Sequence, residues 1–151
     1  DRGLWGSVAM LMAVPLLIIP VLIYNVIALF VLADVGGTGA QTALAQPLFT
    51  IPMASGAQWS VNLGDVIVMT SIVLLFFELL KATSSQKVAI VNHSLSMIVF
   101  IVCLVEFLLF RAFATSTFFL ITLMVLLDVL AGFIVTIITA RKDFDFSTDA
   151  G

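Results

Sequence analysis

Residues 117–140 read TFFLITLMVLLDVLAGFIVTIITA, and Asp128 is the single charge among them. A helix needs roughly 20 mostly apolar residues to cross the hydrocarbon of a bilayer, at about 1.5 Å of rise per residue. This stretch is long enough. Water is a poor solvent for so much exposed hydrocarbon, and lipid is a good one. A transmembrane helix is expected here.

Three more runs of the same kind lie outward from it, at residues 8–33, 61–80 and 88–110. The four fill most of the chain, so no separate soluble domain fits. Hydrophobic residues are 62% and charged residues 10% of the total, against about 45–50% and 25% in soluble domains. The expected fold is an all-α integral membrane protein: a four-transmembrane-helix bundle, one domain over residues 1–151. Residues 34–60 form its outward loop and 141–151 a cytoplasmic tail. The first run is too long for a signal-peptide core and lacks a clear cleavage site, so it reads as a retained span. Pro15 and Pro20 should bend it. Thr83 and Gln86 are spaced as a capping box before the third run. Any of Thr115, Ser116 and Thr117 suits the N-cap of the fourth.

Lys and Arg set the orientation. If the spans alternate, Arg2, Lys81, Lys87, Arg141 and Lys142 fall on one side and Arg111 on the other. Five against one places both termini and the turn between the second and third spans in the cytoplasm. The outward segment holds no Lys or Arg. Trp5 and Trp59 stand where interfacial anchors belong. Within the outward segment, Gly36-Gly37-Thr38-Gly39 reads as a flexible turn. Phe49, Ile51 and Met53 alternate with smaller or polar residues, and so do Trp59, Val61 and Leu63 after Ala54-Ser55-Gly56-Ala57. That pattern predicts a β-hairpin lying on the membrane surface. Pro52 confines its strand to an edge.

Each span carries a thin polar stripe at helical spacing. Ser7 and Asn25 share a face of the first. Gly64, Ser71 and Glu78 repeat along the second, and Asn92, Ser96, Cys103 and Glu106 align on the third. Thr117, Asp128 and Thr139 follow on the fourth, with Gly132 one turn beyond Asp128. Spacings of seven and eleven nearly close whole turns, so each stripe projects one way. Four stripes turned inward make a bundle with a polar seam.

Depth suggests partners. Glu78 and His93 are placed to form an acid–imidazole pair near the cytoplasmic face, with Lys81 competing for Glu78. Asn25, Asp65 and Glu106 are expected together in the outer third, with Arg111 reaching down to Glu106. Asp128 sits mid-span with no basic residue at its depth. An ionised carboxylate there costs about 2.5–3.5 kcal/mol on insertion scales, so it is expected to hold a proton or meet water or a partner chain. Each intramembrane acid also has a plain structural reading, hydrogen-bonded to Ser, Thr or a backbone carbonyl. His93 reads as a bundle histidine and Cys103 as a small apolar packer.

The chemistry classes narrow accordingly. No His/Cys/Asp set has metal-ligand spacing, and no cofactor motif appears. No phosphate loop, HExxH or GxSxG is present. The net charge of -3, with Asp143, Asp145 and Asp149 in the tail, argues against nucleic acid. A single cysteine allows no disulfide within the chain. Three functions remain. The first is a non-catalytic small subunit or assembly partner of a larger membrane complex, associating with other subunits or itself through the Asp128/Gly132 face. The second is a homo-oligomeric channel or proton/ion conductor using Asp128 and Glu106. An enzyme built on Glu78 and His93 ranks last, and the expectation is that the chain is not an enzyme. Short loops without paired cysteines favour a bacterial inner membrane.

Overall fold

The computed structural model describes residues 12–31, 37–81 and 86–148. Trp5, Ser7 and Thr83, and the roles expected of them, lie outside these residues. The chain is mostly helical. Its elements are α1 (Ile18–Phe30), α2 (Gly37–Leu44), β1 (Pro47–Pro52), β2 (Gln58–Asn62), α3 (Leu63–Lys81), α4 (Gln86–Leu109), a 3₁₀ turn (Arg111–Phe113) and α5 (Ser116–Thr148).

Three helices carry stretches apolar and long enough to cross a membrane: Leu63–Lys81, Ala89–Leu109 and Ser116–Lys142. The first apolar run behaves differently. The chain leaves helical geometry over residues 14–17 and re-enters at Ile18. Pro15 explains the break, since its ring disfavours helical backbone at Val14. Pro20 does not bend α1. It lies in the first turn, where a missing N–H has no helical acceptor to lose. The 13 residues of α1 span about 20 Å, short of the roughly 30 Å hydrocarbon core. An uninterrupted helix over 8–33 is thus not what forms among the described residues.

The hairpin forms as an antiparallel pair with Phe49 opposite Val61 and Ile51 opposite Trp59. A bulge between Pro47 and Phe49 shifts the register by one residue. Paired residues share a face, so Phe49, Ile51, Trp59 and Val61 make one apolar side, and Thr50, Ser60 and Gln58 a polar one. Gly56 closes the turn at φ +84°, a conformation that costs glycine little. Pro52 ends β1, at the position its missing donor tolerates. The Gly-rich stretch ahead of β1 is not a plain turn: from Gly37 onward it is helix. Ala40 and Leu44, one turn apart, are both buried and fix its inner face. Thr42 Oγ1 donates back to the Thr38 carbonyl at 3.0 Å.

Local chemistry starts the long helices. Asn62 Oδ1 accepts from the Asp65 amide at 2.8 Å, and Asp65 Oδ2 accepts from the Asn62 amide at 3.1 Å. This reciprocal pair caps α3. Thr115 caps α5, its Oγ1 accepting from the Phe118 amide at 3.2 Å. α5 then continues through Arg141 to Thr148, so most of the acidic tail is the end of that helix.

The core lies at the hairpin end. Tyr24, Phe113 and Phe118 pack ring to ring, with centroids 4.7 Å apart for Tyr24–Phe118 and 4.8 Å for Phe113–Phe118. The Tyr24 hydroxyl donates to the Ala112 carbonyl at 2.9 Å and lies 2.6 Å from Thr115 Oγ1. Leu17, Val21, Ile121 and Val125 extend this core along α1 and α5. Outer faces carry exposed Leu, Ile, Val and Phe, such as Phe76, Leu108 and Ile134. In lipid that exposure carries no hydrophobic cost.

Candidate functional site: a buried polar seam

The polar stripes turn inward. Gly64, Ser71 and Glu78 are the buried face of α3, together with Ile67. Asn92, Ser96 and Cys103 are buried on α4, and Thr117, Asp128 and Gly132 on α5. Gly64 lets α3 and α5 approach, since a Cβ there would strike Thr117 Oγ1. Hydroxyls along the seam satisfy themselves on the preceding turn: Ser71 on Ile67 and Thr122 on Phe118. They need no partner from another helix.

Near the hairpin end, Asn25 Nδ2 donates to the Val21 carbonyl at 3.0 Å and to Glu106 Oε2 at 3.3 Å. This brings two of the expected outer residues together. Asp65 is not with them, because the α3 cap engages it. Arg111 is exposed and makes no ion pair with Glu106 among the described residues. The 3₁₀ turn explains this, since it carries Arg111 off the end of α4.

At mid-bundle, Ser96 Oγ donates to Asp128 Oδ2 at 2.6 Å. Asp128 is fully buried and so finds a hydrogen-bond partner inside its own chain. The sequence offered no cation at this depth, and the structure supplies a hydroxyl. Burial of Asp128 by itself therefore does not require a second chain.

Toward the α3–α4 turn, Glu78 Oε2 accepts from the Leu16 amide at 2.6 Å and from Lys81 Nζ at 3.3 Å. Lys81 Nζ also reaches the Val14 carbonyl at 2.8 Å. The break at Pro15 has a use here: it frees backbone groups of residues 14–16 to meet the end of α3. Lys81 therefore holds Glu78, and the expected Glu78–His93 pair does not form. The His93 ring packs on Gly132, where a Cβ would fall directly on it.

Among the described residues, five buried side-chain polar atoms are left without a hydrogen-bond partner: Glu78 Oε1, Asn92 Nδ2, both ring nitrogens of His93, and Asp128 Oδ1. An unpaired buried polar atom costs about 1–3 kcal/mol. Such a cluster calls for a physical explanation rather than a place in the core. Among the described residues, Glu78, His93 and Lys81 lie near enough to Asp128 to act on it electrostatically. No group of three or more His, Cys, Asp or Glu among the described residues is arranged to hold a metal ion.

An open groove of about 380 Å³ runs along the α4–α5 pair, lined by His93, Met97, Val129, Gly132, Phe133 and Thr136 among others. A smaller one, about 180 Å³, lies between α2 and the starts of α3 and α5, beside Gln41, Asp65 and Thr117. Gln41 also bridges here, its Oε1 accepting from the Ser116 amide at 2.8 Å.

Tyr24 and Lys81 organise more of this architecture than the stripe pattern implied. Tyr24 is the only tyrosine. A lone phenol in an apolar run needs a partner for its hydroxyl, and that signal was present in the sequence.

The three long apolar helices are those of an α-helical membrane protein. No family model, curated protein or solved structure matches the chain.

Proposed function

We propose that this chain is a small non-catalytic subunit or assembly partner in a larger membrane complex, held in a bacterial inner membrane. In this reading the apolar run over residues 8–33, which holds α1, is the fourth crossing. Both termini face the cytoplasm, and the hairpin faces outward. The Lys/Arg distribution supports that orientation.

The observation that carries the reading is the α4–α5 groove. It is apolar, it opens on the outer surface of the bundle, and Gly132 lies in its floor. The His93 ring already covers Gly132, so what the furrow offers a third helix is its apolar surface, for van der Waals packing in lipid. The partner proposed is thus a transmembrane helix, of another subunit or of a second copy, lying along Ile90, Met97 and Phe133. Purification in mild detergent with a photo-crosslinker at Phe133 tests this. A specific protein adduct is expected, and Ile90→Trp, on the exposed lining of the groove, should fill it and weaken the adduct. Ile72→Trp, on the exposed face of α3, should not. Crosslinks to lipid alone would sink the subunit reading.

A second reading, a proton or ion conductor using Asp128 and Glu106, is favoured by the unpartnered Asp128 Oδ1 at the bundle centre. Against it, buried Cys103, Ile121 and Val125 separate the Asp128 and Glu106 levels with apolar contacts. Ion flux into proteoliposomes that Asp128→Asn alters would favour conduction. The enzyme reading gains no support, because Glu78 is engaged by Lys81 and Leu16 rather than by His93.

A further inference from the structure

Three long helices bring Glu78, Asn92, His93 and Asp128 to one level of the bundle. Ser96 and Asp128 are joined at 2.6 Å. Asn92 is one helical turn from Ser96 on the same face of α4. Gly132, one turn beyond Asp128, lies under the His93 ring. Glu78 acts electrostatically on Asp128 from α3. Glu78, Asn92 and Asp128 are at most 4% exposed, yet each keeps a polar atom without a partner, and so does each ring nitrogen of His93.

The chemistry of these atoms is complementary. The carboxylate oxygens accept and the amide nitrogen donates. A neutral imidazole does one of each. No two of these atoms hydrogen-bond to one another. What joins such a set is a small molecule that both donates and accepts, and water typically makes about three hydrogen bonds to buried groups of this kind. A metal ion suits the set poorly, because an amide NH₂ repels it and Lys81 already occupies Glu78.

We propose that Glu78, Asn92, His93 and Asp128 enclose an internal water site at the junction of α3, α4 and α5. The bound water donates to Glu78 Oε1 and Asp128 Oδ1 and accepts from Asn92 Nδ2 and the His93 N–H, directly or through a second water. Among the described residues Lys81 from α3 also acts on Asp128, and the non-helical segment before α1 contributes backbone groups at Val14 and Leu16. The site does not depend on the subunit reading. It does bear on conduction, since a hydrated Asp128 is reachable by protons and a dry one is not.

His93 is the single histidine in the chain, so labelling with ¹⁵N-histidine reports on this site alone. The full chain in liposomes is studied by solid-state NMR, following magnetisation from water protons to the ring nitrogens. The His93 backbone amide, inside a helix, is the internal reference. The ring nitrogens are expected to receive water magnetisation several-fold faster than that amide. Asn92→Leu, which removes a donor at similar volume, should slow the transfer to the reference rate. Ring transfer as slow as the backbone amide in the natural sequence overturns the proposal. Fast transfer that Asn92→Leu leaves unchanged also overturns it, because the water would then arrive through the open groove. The wild-type measurement decides even if the variant fails to fold.

Discussion

At the scale of single residues, Ser96 and Gly132 decide how α5 carries Asp128 through the bundle. Ser96 gives the buried carboxyl its hydrogen bond. Ser96→Ala should therefore destabilise the protein by about 1–3 kcal/mol, the usual cost of stranding a buried polar partner. Thermal unfolding in detergent reads this, and an unchanged midpoint would show that Asp128 is satisfied another way. Gly132 makes room for the His93 ring. Gly132→Ala should cost about 1–3 kcal/mol through overpacking. In a His93→Ala background most of that penalty should vanish, because the Cβ then meets open space. Additive effects of the two changes would contradict the contact. Both partnerships pass between α4 and α5, and the stripe pattern marks Ser96, Asp128 and Gly132 as inward-facing. It could not pair them, since register between two helices depends on packing at every level at once.

Among the elements, the hairpin and the cap of α3 were readable from short spacings. Alternation around Gly56 predicts the strands, and Pro52 an edge position for the first; that β1 stops at Pro52, before Met53, comes from the structure. The capping role of Asp65 is equally local, set by an Asn three residues before an Asp at a helix start. Asn62→Ala should cost about 1 kcal/mol and speed hydrogen exchange at the Asp65 amide, which loses its acceptor. If that amide stays protected, the reciprocal cap is not what holds the first turn. Sequence reading missed the helix Gly37–Leu44, because its glycines argue for a turn. Burial of Ala40 and Leu44 outweighs that weak local preference. The break before α1 was read as a bend. Its depth depends on Glu78 and Lys81 capturing the freed backbone, a contact more than sixty positions away along the chain.

For the whole molecule, the orientation proposed from the Lys/Arg count makes a direct prediction. Cys103 is fully buried, so Cys103→Ala provides a quiet background. In it, Ser55→Cys at the hairpin turn should react with a membrane-impermeant thiol reagent from outside intact cells. Arg141→Cys should react only after the inner face is opened. Labelling of both from one side would invalidate the four-crossing arrangement. That proposal rests on length, apolarity and charge asymmetry, quantities that add along the chain and need no knowledge of contacts. The same holds for the inward direction of the stripes, because helical periodicity fixes which residues share a face. The amino-acid sequence by itself thus determined three of the four long apolar helices read from it, the hairpin and the inward direction of the polar stripes. The tertiary structure alone decided which seam residues meet: Lys81 rather than His93 on Glu78, Ser96 on Asp128, Asn25 without Arg111 on Glu106. Hydrogen bonds act over about 3 Å, and only the final packing of one helix on another sets distances that fine.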